Sequence, residues 1–426
     1  MKKAITVGVG LLAVTGLLAG CSGATDSADS SGEPITLTFQ SLAWQETTIA
    51  ATDSIVADWN AANPDVQVDI TQGSWDNVQD QLVTQFQGGT APDIIHYESA
   101  AIAGFAEQGY LADLSPYLGD DLKNGITDDI WKTVTSSDGS IVGVPTLLQS
   151  YVVFANADAF ATAGVELPVG DEMTWDDFAT VSSELTADGT YGVGWGLKSP
   201  TATVMNMGLG FDGTFFETKD GASTIAVGDA ELEVPERIHA MAYDDKSIEP
   251  VSMTLSGTDA LPGFFGGDYA MFFGGNFYSQ QMTESAPEGF NWVVLPPLAG
   301  SAGTAQAANP QTMSVAAESE HVEEAAAFVE FFADAENLSA LGQGDWLVPT
   351  TEDGRAALLS ETGGDGGWAE ILKSGEALAM APFQSAVGYV QWKDQIATPA
   401  LQQYFANAIT TEELQAQLQD GFASIG

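Results

Sequence analysis

From Ile35 onward, the apolar positions switch between a period of two and a period of three to four. Ile35 to Phe39 is a β-rich run, and Ile49, Val56 and Trp59 then fall on one side of a helix that must stop before Asn63-Pro64. Val66 to Ile70 alternates again. Trp75, Val78, Leu82 and Phe86 recur at helical spacing, and Gly88-Gly89 ends that helix before Asp93-Ile94-Ile95, a short buried strand. Strand, helix, strand, helix, strand predicts a parallel sheet flanked by helices.

Ile141 to Pro145 reads as another strand, and it runs on through Thr146-Leu147-Leu148-Gln149 into Tyr151 to Phe154. An extended segment of that length is suited to crossing between two domains. Beyond it, Asn156 caps a short helix ending at Gly164. Thr174 caps the helix of Phe178, Val181 and Leu185, with Asp177 three residues on. Tyr269 to Phe273 is a strand closed by Gly274-Gly275-Asn276, after which Phe277 to Met282 starts a helix. Trp292 to Leu295 is the next strand, and His321 to Ala333 is an amphipathic helix with Val322, Ala326, Val329 and Phe332 on one side. Thr410 opens the last helix with Glu413 in capping-box spacing.

The first residues follow a different logic. Lys2 and Lys3 precede an uncharged run from Ala4 to Ala19, too short for a stable membrane span and the right length for the apolar part of a signal peptide. The run closes on Leu18-Ala19-Gly20-Cys21, and Cys21 is the only cysteine, so no disulfide can form within the chain. This stretch resembles a bacterial lipoprotein signal, which implies that residues 1–20 are removed and Cys21 carries lipid. Residues 21–34 are rich in Ser, Ala, Gly, Thr and Asp and read as a flexible tether. The roughly 390 residues that follow exceed what one hydrophobic core usually organises, so two domains are expected.

Acidic residues number 59 against 11 basic ones. Nucleic acid is therefore excluded as a natural partner, because phosphates need Lys and Arg to displace their counterions. The same field disfavours anionic ligands unless a local Lys rescues one. His96, His239 and His321 are too dispersed for a zinc site, and no Gly-Lys-Ser/Thr phosphate loop or Gly-x-Ser-x-Gly elbow occurs. No cofactor or metal is expected, and the chain reads as a non-enzyme. A surface glycoside hydrolase is the nearest enzymatic rival, since 59 acids leave room for a carboxylate pair.

Several landmarks occur together and in order. They are Gly89-Thr90-Ala91-Pro92-Asp93-Ile94, the run from Gly109 to Leu118, Val142-Gly143-Val144-Pro145, Thr174-Trp175-Asp176-Asp177-Phe178, Gly267-Asp268-Tyr269-Ala270-Met271 and the run from Ala325 to Phe332. With them, the chain resembles extracellular solute-binding family 1, the maltose-binding-protein-like receptors of ABC importers, over essentially its whole mature length. The resemblance implies an α/β fold of two lobes, of the periplasmic-binding-protein (type II) kind, with a hinge and an interlobe cleft. Lobe one would take residues 35–145 and 302–334, and lobe two residues 146–301 and 335–426. It also implies a monomer, tethered outside the cell membrane, that hands a sugar or oligosaccharide to a permease driven by a cytosolic ATPase. Receptors of the same fold for another solute are the alternative.

A neutral sugar needs flat rings for its C–H face and short polar groups for its hydroxyls. In open α/β sheets, ligands gather beyond the carboxyl ends of strands, which selects Trp44 and Gln45, then Trp75, then Tyr97 and Glu98. By resemblance Tyr97 would stack, and Glu98 or Gln45 would take hydroxyls. In lobe two the candidates are Gln149, Trp195, Asn276, Phe277 and Trp346, with Phe277 standing where the family commonly has Trp. Trp59, Trp131, Trp175 and Trp292 are assigned to packing.

Overall fold

The computed structural model describes residues 34–425 apart from 188, 220 and 221. The signal, Cys21 and nearly all of the tether lie outside the described residues. Nine strands form two larger sheets: β1 (Ile35–Ser41), β2 (Val66–Gln72), β3 (Ile94–Glu98), β4 (Val144–Pro145), β5 (Tyr151–Asn156), β6 (Tyr191–Trp195), β7 (Tyr269–Gly275), β8 (Trp292–Val294) and β9 (Gln311–Val315). The first sheet has the order β2-β1-β3-β9-β4, and the second β8-β5-β7-β6.

The first sheet is parallel only in part. β1 pairs in parallel with β2 and β3, but β9 runs antiparallel to both β3 and β4, with Gln311 opposite Glu98. β9 returns from the second sheet, so it enters from the opposite end. The predicted long extended run is also broken into pieces. Leu147–Leu148 turns away to pair with Val348–Pro349, and Thr146 N–H donates to the Gln311 carbonyl at 2.8 Å.

The helices used below are α1 (Glu46–Ala62), α2 (Val78–Gly88), α3 (Ser99–Glu107), α4 (Trp175–Glu184), α5 (Gly257–Gly266), α6 (Tyr278–Ser285), α7 (Val322–Phe332) and α8 (Ala335–Asp345). Asn156, Thr174 and Thr410 all accept the capping hydrogen bonds that their spacing predicts. Trp75 sits in the turn before α2, not on it.

Alternation sets the cores. Phe39 meets Phe328 and Phe332 of α7 at 5.8 and 5.7 Å, placing that helix over the first sheet. In β7, Phe272 joins the cluster of Phe154 and Phe264, while Met271 and Phe273 point to the other face with Val153 and Trp195. Both faces of the second sheet are thus covered. Helix α8, which the boundary at 335 gives to the second lobe, packs on α1: Thr47 Oγ1 donates to the Gly344 carbonyl at 2.9 Å. Among the described residues, no helix is long and apolar enough to cross a membrane.

Candidate ligand-binding site

At the carboxyl ends of the first sheet's strands, hydrogen bonds fix the loops to one another. Leu42 N–H donates to His96 Nδ1 at 3.1 Å, so Nε2 carries the proton and donates to Gln311 Oε1 at 2.9 Å. Burial holds His96 neutral and pushes its pKa down to about 4. The Trp75 ring stands edge-on to His96 at 5.7 Å and tilted against Tyr97 at 6.0 Å. Tyr97 is buried in the cluster of Ile102 and Phe105, leaving little of its ring free to stack. Burial raises its hydroxyl pKa well above the phenol range, and the Glu98, Asp394 and Asp80 charges add to this.

Glu98 ends β3, and its Oε2 accepts a hydrogen bond from Asn309 Nδ2 at 2.8 Å. The same Asn309 side chain accepts at Oδ1 from Ala100 N–H and Ser99 Oγ, both at 3.1 Å, closing the start of α3. Sequence reasoning missed Asn309. Its only signal was a polar residue before Pro310 in the returning crossing.

The other two candidates of this sheet diverge. Trp44 is 49% exposed, with its ring free, whereas Gln45 is 5% exposed. The Gln45 amide donates to the Asp345 carbonyl at 3.2 Å, so this side chain pins α1 to α8 and does not reach the cleft.

On the second sheet, a cavity of about 190 Å³ opens beyond β6 and β7. Gln149, Tyr151, Trp195, Thr203, Ser256 and Phe277 are in its wall. The Gly-Gly turn makes the aromatic corner possible: a Cβ on Gly274 would fall 2.7 Å from the Tyr278 ring, and one on Gly275 would run into Phe277. Phe277 packs at 4.4 Å on Tyr278 with part of its ring left open. Trp195 is 1% exposed, lies 4.2 Å from Phe273, and its Nε1–H has no partner among the described residues. Burial pushes the Tyr151 hydroxyl up to about 12, Tyr278 and Glu98 push the same way, and Thr203 and Gln149 beside it pull back.

Two predicted contacts lie elsewhere. Asn276 is fully buried. Its Oδ1 accepts from Ser150 N–H at 3.2 Å and its own N–H donates to the Ser150 carbonyl at 2.9 Å, because Asn276 faces the chain crossing while Gly275 and Phe277 on either side of it line the cavity. Trp346 adopts the left-handed conformation (φ 56°) at the end of α8 and stacks on Trp368 at 4.6 Å and 5°, edge-on to Trp292. Partly buried, with one indole flat against its ring and another at its edge, Trp346 has its packing partners in this cluster.

The two halves approach each other near residues 306–309. Gln306 and Tyr151 exchange amide hydrogen bonds at 2.8 and 2.9 Å, Ala308 N–H donates to the Ala379 carbonyl at 2.7 Å, and α3 touches Pro382–Ser385. Glu98 accordingly acts on phenols of both halves: Tyr97 of β3, Tyr151 of β5 and Tyr389 at the start of the helix Tyr389–Trp392. Among the described residues, no group of three or more His, Cys, Asp or Glu is arranged to hold a metal ion.

The sequence profile of the family described as bacterial extracellular solute-binding protein matches residues 43–338. The chain belongs to this family. A relative described as an uncharacterized lipoprotein in the oleD 5′ region of Streptomyces antibioticus is 42% identical over 97% of this chain and 91% of its own length. The maltodextrin-binding protein of Bacillus subtilis is 26% identical over 54% of this chain and 52% of its own. Among solved structures, the cyclic α-maltosyl-1,6-maltose binding protein of Arthrobacter globiformis superposes with a TM-score of 0.78 at 17% identity, covering 92% of this chain and 99% of that one. This solute-binding protein thus has the two-lobe α/β fold of periplasmic receptors, matching the fold that the family resemblance implies.

Proposed function

We propose that this solute-binding protein captures a sugar or short oligosaccharide between its lobes and delivers it to a two-subunit permease powered by a cytosolic ATPase. The cavity beyond β6 and β7 carries this reading. Its wall interleaves rings (Tyr151, Trp195, Phe277) with hydroxyl and amide groups (Gln149, Thr203, Ser256), which is the mixture a pyranose ring requires. Trp75 and Glu98, with the exposed Trp44, supply the facing side from the first lobe. The maltodextrin-binding relative supports the carbohydrate class. Capture without chemistry, as a monomer held outside the membrane through lipid on Cys21, completes the proposal, and the lipoprotein relative supports the anchor. Lobe one then comprises residues 35–145 and 302–334 with α8 packed on it, and lobe two the remainder of 146–426.

Ligand that touches both lobes favours the closed form only as far as it binds that form better. A thermal-shift screen against mono- and oligosaccharides tests the function. A ligand at a hundred times its Kd adds about 2.7 kcal/mol to the folded state and raises the melting temperature visibly. If no saccharide raises it while a peptide or polyol does, the carbohydrate reading fails.

A further inference from the structure

In a chain with 59 acidic residues, the cavity on the second sheet has no Asp or Glu in its wall among the described residues. It has one of the 11 basic residues, Lys198, exposed at the rim. Among the described residues, no carboxylate pairs with the Lys198 ammonium, although most of the chain's other basic side chains are engaged by acids or carbonyls. The wall also holds an unspent donor. Trp195 is buried, and its indole N–H meets no acceptor, a state that buried polar groups rarely keep unless something else completes them. Two acids act on the wall without lining it: Asp259 accepts from the Ser256 hydroxyl that caps α5, and Glu98, held by Asn309, pushes up the Tyr151 hydroxyl.

We propose that this cavity receives the acidic group of an anionic saccharide, a uronate carboxylate or a sulfate or phosphate ester, with Lys198 supplying the charge and Trp195 an unpartnered N–H. The proposal rests on the carbohydrate reading above and narrows it. It also reverses the expectation from net charge. At physiological ionic strength charges beyond about 8 Å are screened, so the residues in the wall outweigh the distant acidic surface. A charge-assisted hydrogen bond is roughly twice as strong as a neutral one, so an acid meeting both donors gains what a neutral hydroxyl cannot. Lys198 also borders a second cavity beside Met253 and Gln402.

Calorimetric titration of the full chain separates the possibilities. Glucuronate, galacturonate and their di- and trisaccharides are compared with glucose, galactose and their neutral oligomers, and with 6-sulfated and 6-phosphorylated hexoses. The wild type is expected to prefer an acidic member over its neutral counterpart by at least about tenfold, with the preference shrinking as salt rises. Lys198→Ala should erase that ratio, and Trp195→Phe should reduce it while keeping the ring. Whether carboxylate or ester wins assigns the source of the anion. Neutral sugars binding as tightly as acidic ones, or a preference that survives Lys198→Ala, overturns the proposal and leaves the sugar reading intact. Binding by no saccharide of either kind overturns both.

Discussion

Asn309 donates its side-chain amide to the Glu98 carboxylate at 2.8 Å, joining the crossing between the sheets to the end of β3. The neighbouring Ala308 carbonyl accepts from Gln384 Nε2, so one short crossing touches the candidate ligand carboxylate and the second lobe together.

That arrangement predicts coupling. Glu98→Gln and Asn309→Ala are each expected to weaken binding of a saccharide found by thermal shift, by about 1–3 kcal/mol. The double variant should lose less than the sum, because removing Glu98 removes what Asn309 positions. Calorimetric titration of the four proteins measures it, and strictly additive losses would show that the two side chains act separately.

Phe277 and Trp44 differ in what they have besides ligand. Phe277 packs on Tyr278 but keeps an open edge on the cavity, and Trp44 is 49% exposed. Phe277→Ala and Trp44→Ala should each lower saccharide affinity by roughly 1–3 kcal/mol. Trp44→Ala should also leave the melting temperature of the free protein almost unchanged, since little packing is lost. Unaltered affinity in either variant removes that residue from the site.

Asn276, one residue earlier, should behave in the opposite way. It satisfies the buried Ser150 N–H, so Asn276→Ala leaves a donor stranded and is expected to cost about 1–3 kcal/mol of stability. A urea midpoint that does not move would disprove that role. A drop in affinity larger than the stability change explains would return Asn276 to the ligand.

The contrast between neighbours shows which parts of the molecule the sequence discloses. Caps at Asn156, Thr174 and Thr410 are local contracts between residues two or three apart, and spacing alone reveals them. The strands of the first βαβ units follow from alternation for the same reason. β9 pairs with β3 across more than 200 positions, as does Asn309 with Glu98, and no local pattern records either. Which loops lie at the carboxyl ends of the strands follows from the sequence, but which side chain of a loop faces the cavity does not. Asn276 and Phe277 share a turn, but one faces the crossing and the other the cavity. Gln45 and Trp346 lie where loops meet packed helices, and their inward orientation depends on Asp345 and Trp368, far along the chain.

The buried network around Gln311 makes a prediction about pH. His96 donates to Gln311 from one side, and the Gln311 side chain also lowers the pKa of Asp345, whose Oδ1 accepts from Thr48 at 2.5 Å. Burial raises the Asp345 carboxyl to about 6, opposed by the Thr48 and Gln311 hydrogen bonds. A raised carboxyl pKa means the folded state prefers the proton. The stability it contributes is complete below the unfolded value of about 3.9 and is lost as pH rises through about 6. Burial lowers His96 to about 4, and its stability has the opposite sign: complete above about 6.5 and lost as pH falls through about 4. Over the shared window the two slopes oppose each other, each on the order of 3 kcal/mol in full. Asp345→Asn should therefore expose the histidine slope, growing less stable relative to wild type as pH falls from 6.5 to 4. His96→Asn should expose the carboxyl slope, growing less stable relative to wild type as pH rises from 4 to 6. Urea midpoints at pH 4.5, 5.5 and 7 measure both differences. Curves for the two variants that run parallel to wild type would show that neither group titrates differently on folding.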